Sequence, residues 1–264
     1  MWSRRCGLVL WVNGRRGSGV PLCPPPAAAA RVRCPSTATR AGEAVIAPGS
    51  ESASSPSPRS LTTWIEGWQP EEAPLLHARQ RAAEVGVAAV DPATGAVLRL
   101  LAAAADAKAV VELGTGAGVS ALWLLSGMRE DGVLTSVDSE GEHQRLAKQS
   151  LNEVGVPSGR ARLIPGRALD VLPRLSDGAY DLVFCDAAKS ENLDYLASGV
   201  RLLRPGGCIV FAGALGGGKV ADPAARDADT VALRELARAV REDTRLVPDM
   251  LTDGPGLLVA ALAG

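Results

Sequence analysis

Three acidic residues and one glycine-rich loop are the parts of this 264-residue sequence best suited to chemistry. The loop reads Glu112-Leu113-Gly114-Thr115-Gly116-Ala117-Gly118-Val119-Ser120. Its glycines permit a tight turn and let a ligand come close to the backbone. The spacing is G-x-G-x-G. It differs from the G-x-G-x-x-G of dinucleotide binders, and it lacks the Gly-Lys-Ser/Thr of a phosphate-binding P-loop. A simple turn is the competing reading. Glu112 ends an otherwise apolar run, where an unpaired charge is costly to bury. A cationic group on a ligand would offset that cost. Asp138 ends the next apolar run, 26 residues beyond Glu112. An acid there is placed to accept hydrogen bonds from both hydroxyls of a ribose. Capping the following helix is its alternative use. The loop and two acids together fit a nucleoside carrying positive charge better than a pyrophosphate. Asp186 ends a third apolar run of the same kind.

The elements that must hold these residues follow an alternating rhythm. Short apolar, β-branched runs predict strands at Ala109–Leu113, Val133–Val137, Ala161–Ile164, Tyr180–Cys185, Cys208–Phe211, Arg245–Leu251 and Leu257–Leu262. Helical patterning predicts helices over His77–Val87, Pro92–Ala105, Ser120–Met128, Glu142–Val154, Ala168–Leu175, Asn192–Leu203 and Ala224–Glu242. Asp91-Pro92 is a helix start, and Arg204-Pro205-Gly206-Gly207 reads as a helix stop. Strands alternating with helices imply a mostly parallel sheet covered on both faces. The last two strands have no helix between them, so they pair antiparallel. The expected fold is α/β: a doubly wound three-layer sandwich with a seven-stranded, mostly parallel sheet and one antiparallel strand. Ligands in such folds sit at the carboxyl ends of the strands. That rule selects the ends at Leu113, Asp138 and Asp186.

Composition divides the chain in two. Residues 1–60 carry eight Arg, no Lys and two acids, whereas residues 61–264 carry seven more acidic than basic residues. The net charge of -1 is therefore an average of a basic segment and an acidic domain. Residues 1–60 contain Pro24-Pro25-Pro26, an alanine run and a Ser/Pro-rich stretch, with no apolar period. They are expected to be a disordered basic Pro/Ala/Ser-rich tail. Cys6, Cys23 and Cys34 fall there at spacings that fit no common zinc pattern. Cys185 and Cys208 lie in strand-like runs and read as small core residues. No disulfide framework is visible, so a cytoplasmic location is expected. No apolar run approaches the roughly 18–20 residues of a membrane-spanning helix.

Residues 64–264 resemble the class I S-adenosylmethionine-dependent methyltransferases. Within these they resemble the catechol and caffeoyl-CoA O-methyltransferase family, and most of all its members in mycobacteria and other actinobacteria. The residues that carry the likeness are Val90-Asp91-Pro92-Ala93-Thr94-Gly95, Val111-Glu112-Leu113-Gly114-Thr115-Gly116, Gly118-Val119-Ser120, Val137-Asp138, Asp181-Leu182-Val183-Phe184-Cys185-Asp186 and Leu202-Leu203-Arg204-Pro205-Gly206-Gly207. The resemblance implies a Rossmann-like fold, S-adenosyl-L-methionine as cofactor and a hydroxyl as methyl acceptor. It implies that Gly114, Thr115 and Gly116 pass beneath the methionine part of the cofactor, with Glu112 close by and Ser120 hydrogen-bonding nearby. Asp138 would hold the ribose, with Ser139 beside the adenine and Ala168 at the adenine edge. Val90 would line the pocket mouth, and Asp186 would face both cofactor and acceptor.

The departures from the family are also informative. Many relatives bind a divalent cation through the aspartate that ends the fourth strand and an Asp-Asn pair that ends the fifth. Asp186 matches the first, but the pair falls at Ala212-Gly213, and Ala188 stands where a second acid is common. One carboxylate is a poor site for a hard cation. No tightly bound metal is expected. Lys189 is then the nearest candidate to act on the acceptor, as a base or as an oxyanion partner. His77 and His143 read as surface residues, the latter reaching solvent or the adenine rim. Trp123 reads as core, while Trp64 and Trp68 suit an acceptor pocket or a contact between copies. The leading expectation is an O-methyltransferase for a small-molecule hydroxyl, acting as a homodimer. The alternatives are a tRNA hydroxyuridine methyltransferase and a degenerate cofactor-binding regulatory module. The acidic domain argues against nucleic acid.

Overall fold

The computed structural model describes Trp64, Gly67, Trp68, residues 70–252 and residues 254–264. The tail expected over residues 1–60, with its three cysteines, lies outside the described residues. The strands are β1 (Ala109–Leu113), β2 (Val133–Asp138), β3 (Ala161–Pro165), β4 (Tyr180–Cys185), β5 (Leu203–Ala212), β6 (Leu246–Leu251) and β7 (Leu257–Leu262). The helices are α1 (Ala73–Glu84), α2 (Pro92–Ala104), α3 (Val119–Gly127), α4 (Gly141–Glu153), α5 (Ala168–Val171), α6 (Asn192–Leu202) and α7 (Ala228–Glu242).

The sheet has seven strands in the order β3-β2-β1-β4-β5-β7-β6. All neighbours from β3 to β5 pair in parallel. β7 lies antiparallel to both β5 and β6, so it is the one reversed strand. The order reverses between β1 and β4, which makes their carboxyl ends the switch point where such sheets bind ligands. Period-two alternation divides the core between the faces. Val110, Leu134, Leu182, Phe184 and Val210 pack toward α2 and α3. Val111, Leu113, Val183, Ile209 and Phe211 pack toward α6 and α7. Tyr195, Phe184, Phe211 and Leu98 are among the largest side chains shut off from solvent. Trp123 is buried in the first of these clusters, as expected of a core residue.

Several boundaries differ from expectation for local reasons. α1 starts at Ala73 rather than His77, because Pro74 fits the first turn, where its missing N–H costs nothing. α2 starts as expected: Asp91 accepts a hydrogen bond from the Thr94 N–H at 2.9 Å. The helix expected over Ala168–Leu175 tightens into a 3-10 turn at Leu172–Arg174, where Pro173 supplies no N–H. Arg204-Pro205-Gly206-Gly207 does not form a loop. α6 passes straight into β5 at Leu203, and the four residues form an irregular start to that strand. A proline and a glycine at φ 79° suit such a bulge. α7 begins at Ala228 rather than Ala224, because Asp227 caps it by accepting from the Thr230 N–H at 3.1 Å. Among the described residues no helix is long and apolar enough to cross a membrane.

Candidate active site

The loops after β1, β2, β3 and β4 converge on a cavity of about 380 Å³ at the carboxyl edge of the sheet. Its wall contains Val90, Gly114, Thr115, Gly116, Ser120, Asp138, Ser139, Ala168 and Asp186. Nine of the residues singled out from the sequence thus meet in one place. Glu112 lies under the floor, fully buried. Lys189 stands beside the Asp186 end.

The glycine loop is held by short-range geometry. Gly114 has φ 94°, and a Cβ there would lie 2.2 Å from the Asp186 carbonyl oxygen. Only glycine fits this crossing of β1 and β4. The Gly114 N–H donates to Val137 O at 2.8 Å, and the Asp186 N–H donates to Leu113 O at 2.8 Å. These bonds lock the three strand ends together. The Gly116 N–H donates to Asp138 Oδ2 at 3.0 Å, which joins the loop to the second acid.

Beneath the loop runs a chain of hydrogen bonds. Gln144 Nε2 donates to Thr115 Oγ1 at 3.1 Å. The Thr115 and Ser136 hydroxyls are 2.6 Å apart, and Ser136 Oγ donates to Glu112 Oε2 at 2.5 Å. Every donor in the chain can point toward the Glu112 carboxylate. Yet Glu112 Oε1 is buried and has no hydrogen-bond partner among the described residues. Burial is the largest influence on its pKa, with the nearby charges of Asp186 and Asp138 in support and the Ser120 and Ser136 hydroxyls opposing. The result is a carboxyl pushed up to about 7. A buried acid with one unserved oxygen, beside two more acids, is a place that favours a positively charged ligand.

Asp138 is not a helix cap. The residue that opens α4 is Glu140, whose side chain makes no capping bond. The Asp138 carboxylate instead accepts from Gly116 N–H and, at 2.9 Å, from Glu140 N–H. His143 Nδ1 lies 3.2 Å from each of its oxygens. A carboxylate only accepts, so this nitrogen carries the proton. His143 is therefore a wall residue tied to Asp138; of the two places expected for it, solvent or the adenine rim, it stands away from open solvent. Its place one turn into the helix after Asp138 was the available signal. His77 is exposed and pairs with Glu153 at 2.5 Å, as a surface residue would.

A second group escaped sequence reasoning. Arg167 Nη2 donates to Glu191 Oε1 at 2.7 Å, and Tyr195 OH donates to Glu191 Oε2 at 2.6 Å. All three line the cavity and link the loop after β3 to the segment after β4. No local pattern marks such a contact, because its partners are 24 residues apart. Trp64 and Trp68 stack with centroids 5.4 Å apart and are exposed. Neither belongs to the cavity wall.

At the Asp186 end, Lys189 Nζ donates to Ala212 O at 2.8 Å and lies 3.6 Å from Asp186 Oδ1. Burial raises the Asp186 pKa, and the Lys189 charge opposes that rise. The residues here do not fit a divalent cation. Asp186 offers one carboxylate, whereas Ala212, Gly213 and Ala188 offer no side-chain oxygen. Among the described residues no group of three or more His, Cys, Asp or Glu side chains is spaced to hold a metal.

The fold and the cavity together define a doubly wound protein with an acid-lined cavity at its switch point, of a character suited to a cationic ligand. Comparison with known proteins agrees with that class. The family described as "O-methyltransferase" matches residues 74–262. A Mycobacterium tuberculosis protein named "Probable O-methyltransferase Rv1220c" is 55% identical over 201 residues, which cover 76% of this chain and 90% of that one. A solved structure from Corynebacterium glutamicum is 34% identical with a TM-score of 0.74, and the match covers 78% of this chain and 97% of that one. The O-methyltransferase TomG of Streptomyces achromogenes, involved in tomaymycin synthesis, was solved in complex with S-adenosylmethionine. It is 29% identical with a TM-score of 0.72, over 78% of this chain and 96% of its own. The chain belongs to the O-methyltransferase family. It is an S-adenosylmethionine-dependent O-methyltransferase with a Rossmann-like fold, as its sequence motifs implied.

Proposed function

We propose that the acceptor is the hydroxyl of a small molecule and that the cavity holds the methyl donor along its length. The observation that carries this reading is the buried, unpartnered Oε1 of Glu112, flanked by Asp138 and Asp186. Three acids around one cavity suit a ligand with an ammonium and a sulfonium charge. When bound, S-adenosylmethionine supplies an electrophilic methyl carbon for a hydroxyl oxygen to attack in line with the breaking carbon–sulfur bond. The chain's own residues bind and orient. Asp138, steadied by Gly116, Glu140 and His143, accepts from the ribose hydroxyls. Gly114, Thr115 and Gly116 form the floor, Glu112 provides negative charge below it, and Ser120 adds a hydroxyl. Ser139 and Ala168 border the adenine, and Val90 lines the mouth. The carbonyl of Val90 accepts from Arg79 Nη1 at 2.8 Å, which ties the mouth to α1. Asp186 and Lys189 face the acceptor, so positioning is the main catalytic contribution.

The acidic charge of residues 61–264 supports a small acceptor over a nucleic acid. Two buried free thiols, Cys185 and Cys208, suit a reducing cytoplasm. The exposed Trp64, Trp68 and Leu76 suit a contact between two copies. Calorimetry with S-adenosylhomocysteine tests the donor site. The intact protein binds it, and Asp138→Ala weakens binding by about tenfold or more through loss of charge-assisted hydrogen bonds. No binding by the intact protein sinks the reading.

A further inference from the structure

The space between the ends of β4 and β5 is already filled by a positive charge. Lys189 reaches across it, with its ammonium on the Ala212 carbonyl at 2.8 Å and 3.6 Å from Asp186 Oδ1. Gly213, the next residue, has φ 65°. A Cβ at that position would stand 3.5 Å from Nζ and 3.6 Å from Cε of Lys189. These are ordinary contact distances, so a Cβ there would touch the lysine without displacing it. The lysine thus packs along the backbone just where a side chain from position 213 would approach Asp186.

We propose that the Lys189 ammonium is the resident cation of the acceptor end, in the place a divalent ion takes in metal-dependent relatives, and that the acceptor presents one acidic hydroxyl rather than a vicinal diol. The proposal rests on the donor-site reading above and adds the acceptor class. An ammonium has three N–H donors. One is given to Ala212 O, and one faces Asp186. One remains, enough for a single oxygen. A divalent ion with open positions can grip two adjacent oxygens, but this ammonium cannot. A metal also lowers the pKa of the oxygen it binds. Without that help the acceptor must release its own proton to water, as phenols bearing electron-withdrawing groups do. Lys189 keeps its proton and holds the oxyanion. The oxygen forms its bond to the methyl carbon as the carbon–sulfur bond breaks, and that electron pair stays on sulfur.

The test uses the full chain saturated with S-adenosylhomocysteine, whose binding is measured first and reports separately on the donor site. Mn²⁺ binding is then followed by electron paramagnetic resonance. The intact protein shows none at about millimolar ion. Ala188→Asp gives Asp186 a second carboxylate, and removing the ammonium as well, in Lys189→Ala/Ala188→Asp, tightens Mn²⁺ binding by about tenfold or more over Ala188→Asp alone. Mn²⁺ binding to the intact protein that Asp186→Asn removes, or equal affinity in Ala188→Asp and Lys189→Ala/Ala188→Asp, overturns the proposal. In a second arm, 4-nitrophenolate and 4-nitrocatechol are titrated by absorbance with and without Mg²⁺. The two bind the intact protein within about threefold of each other, indifferent to Mg²⁺, and Lys189→Met weakens 4-nitrophenolate by about tenfold or more. No binding of 4-nitrophenolate, no effect of Lys189→Met, or a Mg²⁺-dependent preference for the catechol overturns the acceptor half. Retained S-adenosylhomocysteine binding certifies that each variant is folded.

Discussion

Glu112 is the buried acid beneath the proposed donor site, and it leaves a measurable signature on stability. Its carboxyl titrates near 7 when folded, against 4.5 for an ordinary glutamate, chiefly because it is buried. Between those values the folded chain holds a proton that the unfolded chain releases. Ligand-free stability therefore falls as pH rises through this window and levels off above it, by a total of about 3 kcal/mol. Glu112→Gln removes that loss. In scanning calorimetry without ligand the variant melts higher than the parent at pH 8, with a much smaller gap at pH 5. A parent that gains on the variant from pH 5 to pH 8 contradicts this account. The site was legible at this scale wherever chemistry coincided with a strand end. Glu112, Asp138 and Asp186 each close an apolar run, and the fold sends such ends to one edge. His143, Arg167, Glu191 and Tyr195 carry no such mark. Arg167 and Glu191 meet only in the folded chain, whereas His143 and Tyr195 lie five and four residues from their partners, Asp138 and Glu191, at spacings that any surface helix could also show.

At the scale of elements, the loop between β1 and α3 passes tightly against the backbone that follows β4. Gly114→Ala must place a methyl group 2.2 Å from the Asp186 carbonyl at a left-handed φ. The expected cost is at least about 2 kcal/mol, read as a lowered urea midpoint, with S-adenosylhomocysteine binding lost as the strand ends part. Unchanged stability and binding would show that the loop is not held as described. All seven strands were legible in place and order of appearance, because two-residue and 3.6-residue periods survive in short runs. Their boundaries were less so. The helix does stop before Arg204-Pro205-Gly206-Gly207, but β5, expected from Cys208, already begins at Leu203, since a Pro-Gly pair serves a bulge as well as a loop. Asp181 explains why that start is tolerated. Its carboxylate accepts from the Lys108 and Ala109 N–H groups, each at 2.7 Å, and pairs with Arg204. The irregular segment is thereby pinned to the first strand, through residues distant in sequence.

Across the whole molecule, the cavity collects every wall residue from the stretch between Val87 and Tyr195. The later strands and α7 complete the sheet and its cover. Of these, β5 reaches the proposed acceptor end, where Ala212 O accepts from Lys189. Negative charge is concentrated where the donor's positive charge would lie, and one ammonium stands beside Asp186, at the end proposed for the acceptor. The near-neutral total charge of the chain conceals this polarity. The most direct test is the crystal structure of the S-adenosylhomocysteine complex. The expected complex has ribose hydroxyls within hydrogen-bonding reach of Asp138, the adenine beside Ser139 and Ala168, and the sulfur at the end where Asp186 and Lys189 stand. A ligand bound in the reverse sense, with its base toward Lys189, or bound outside this cavity, would contradict it.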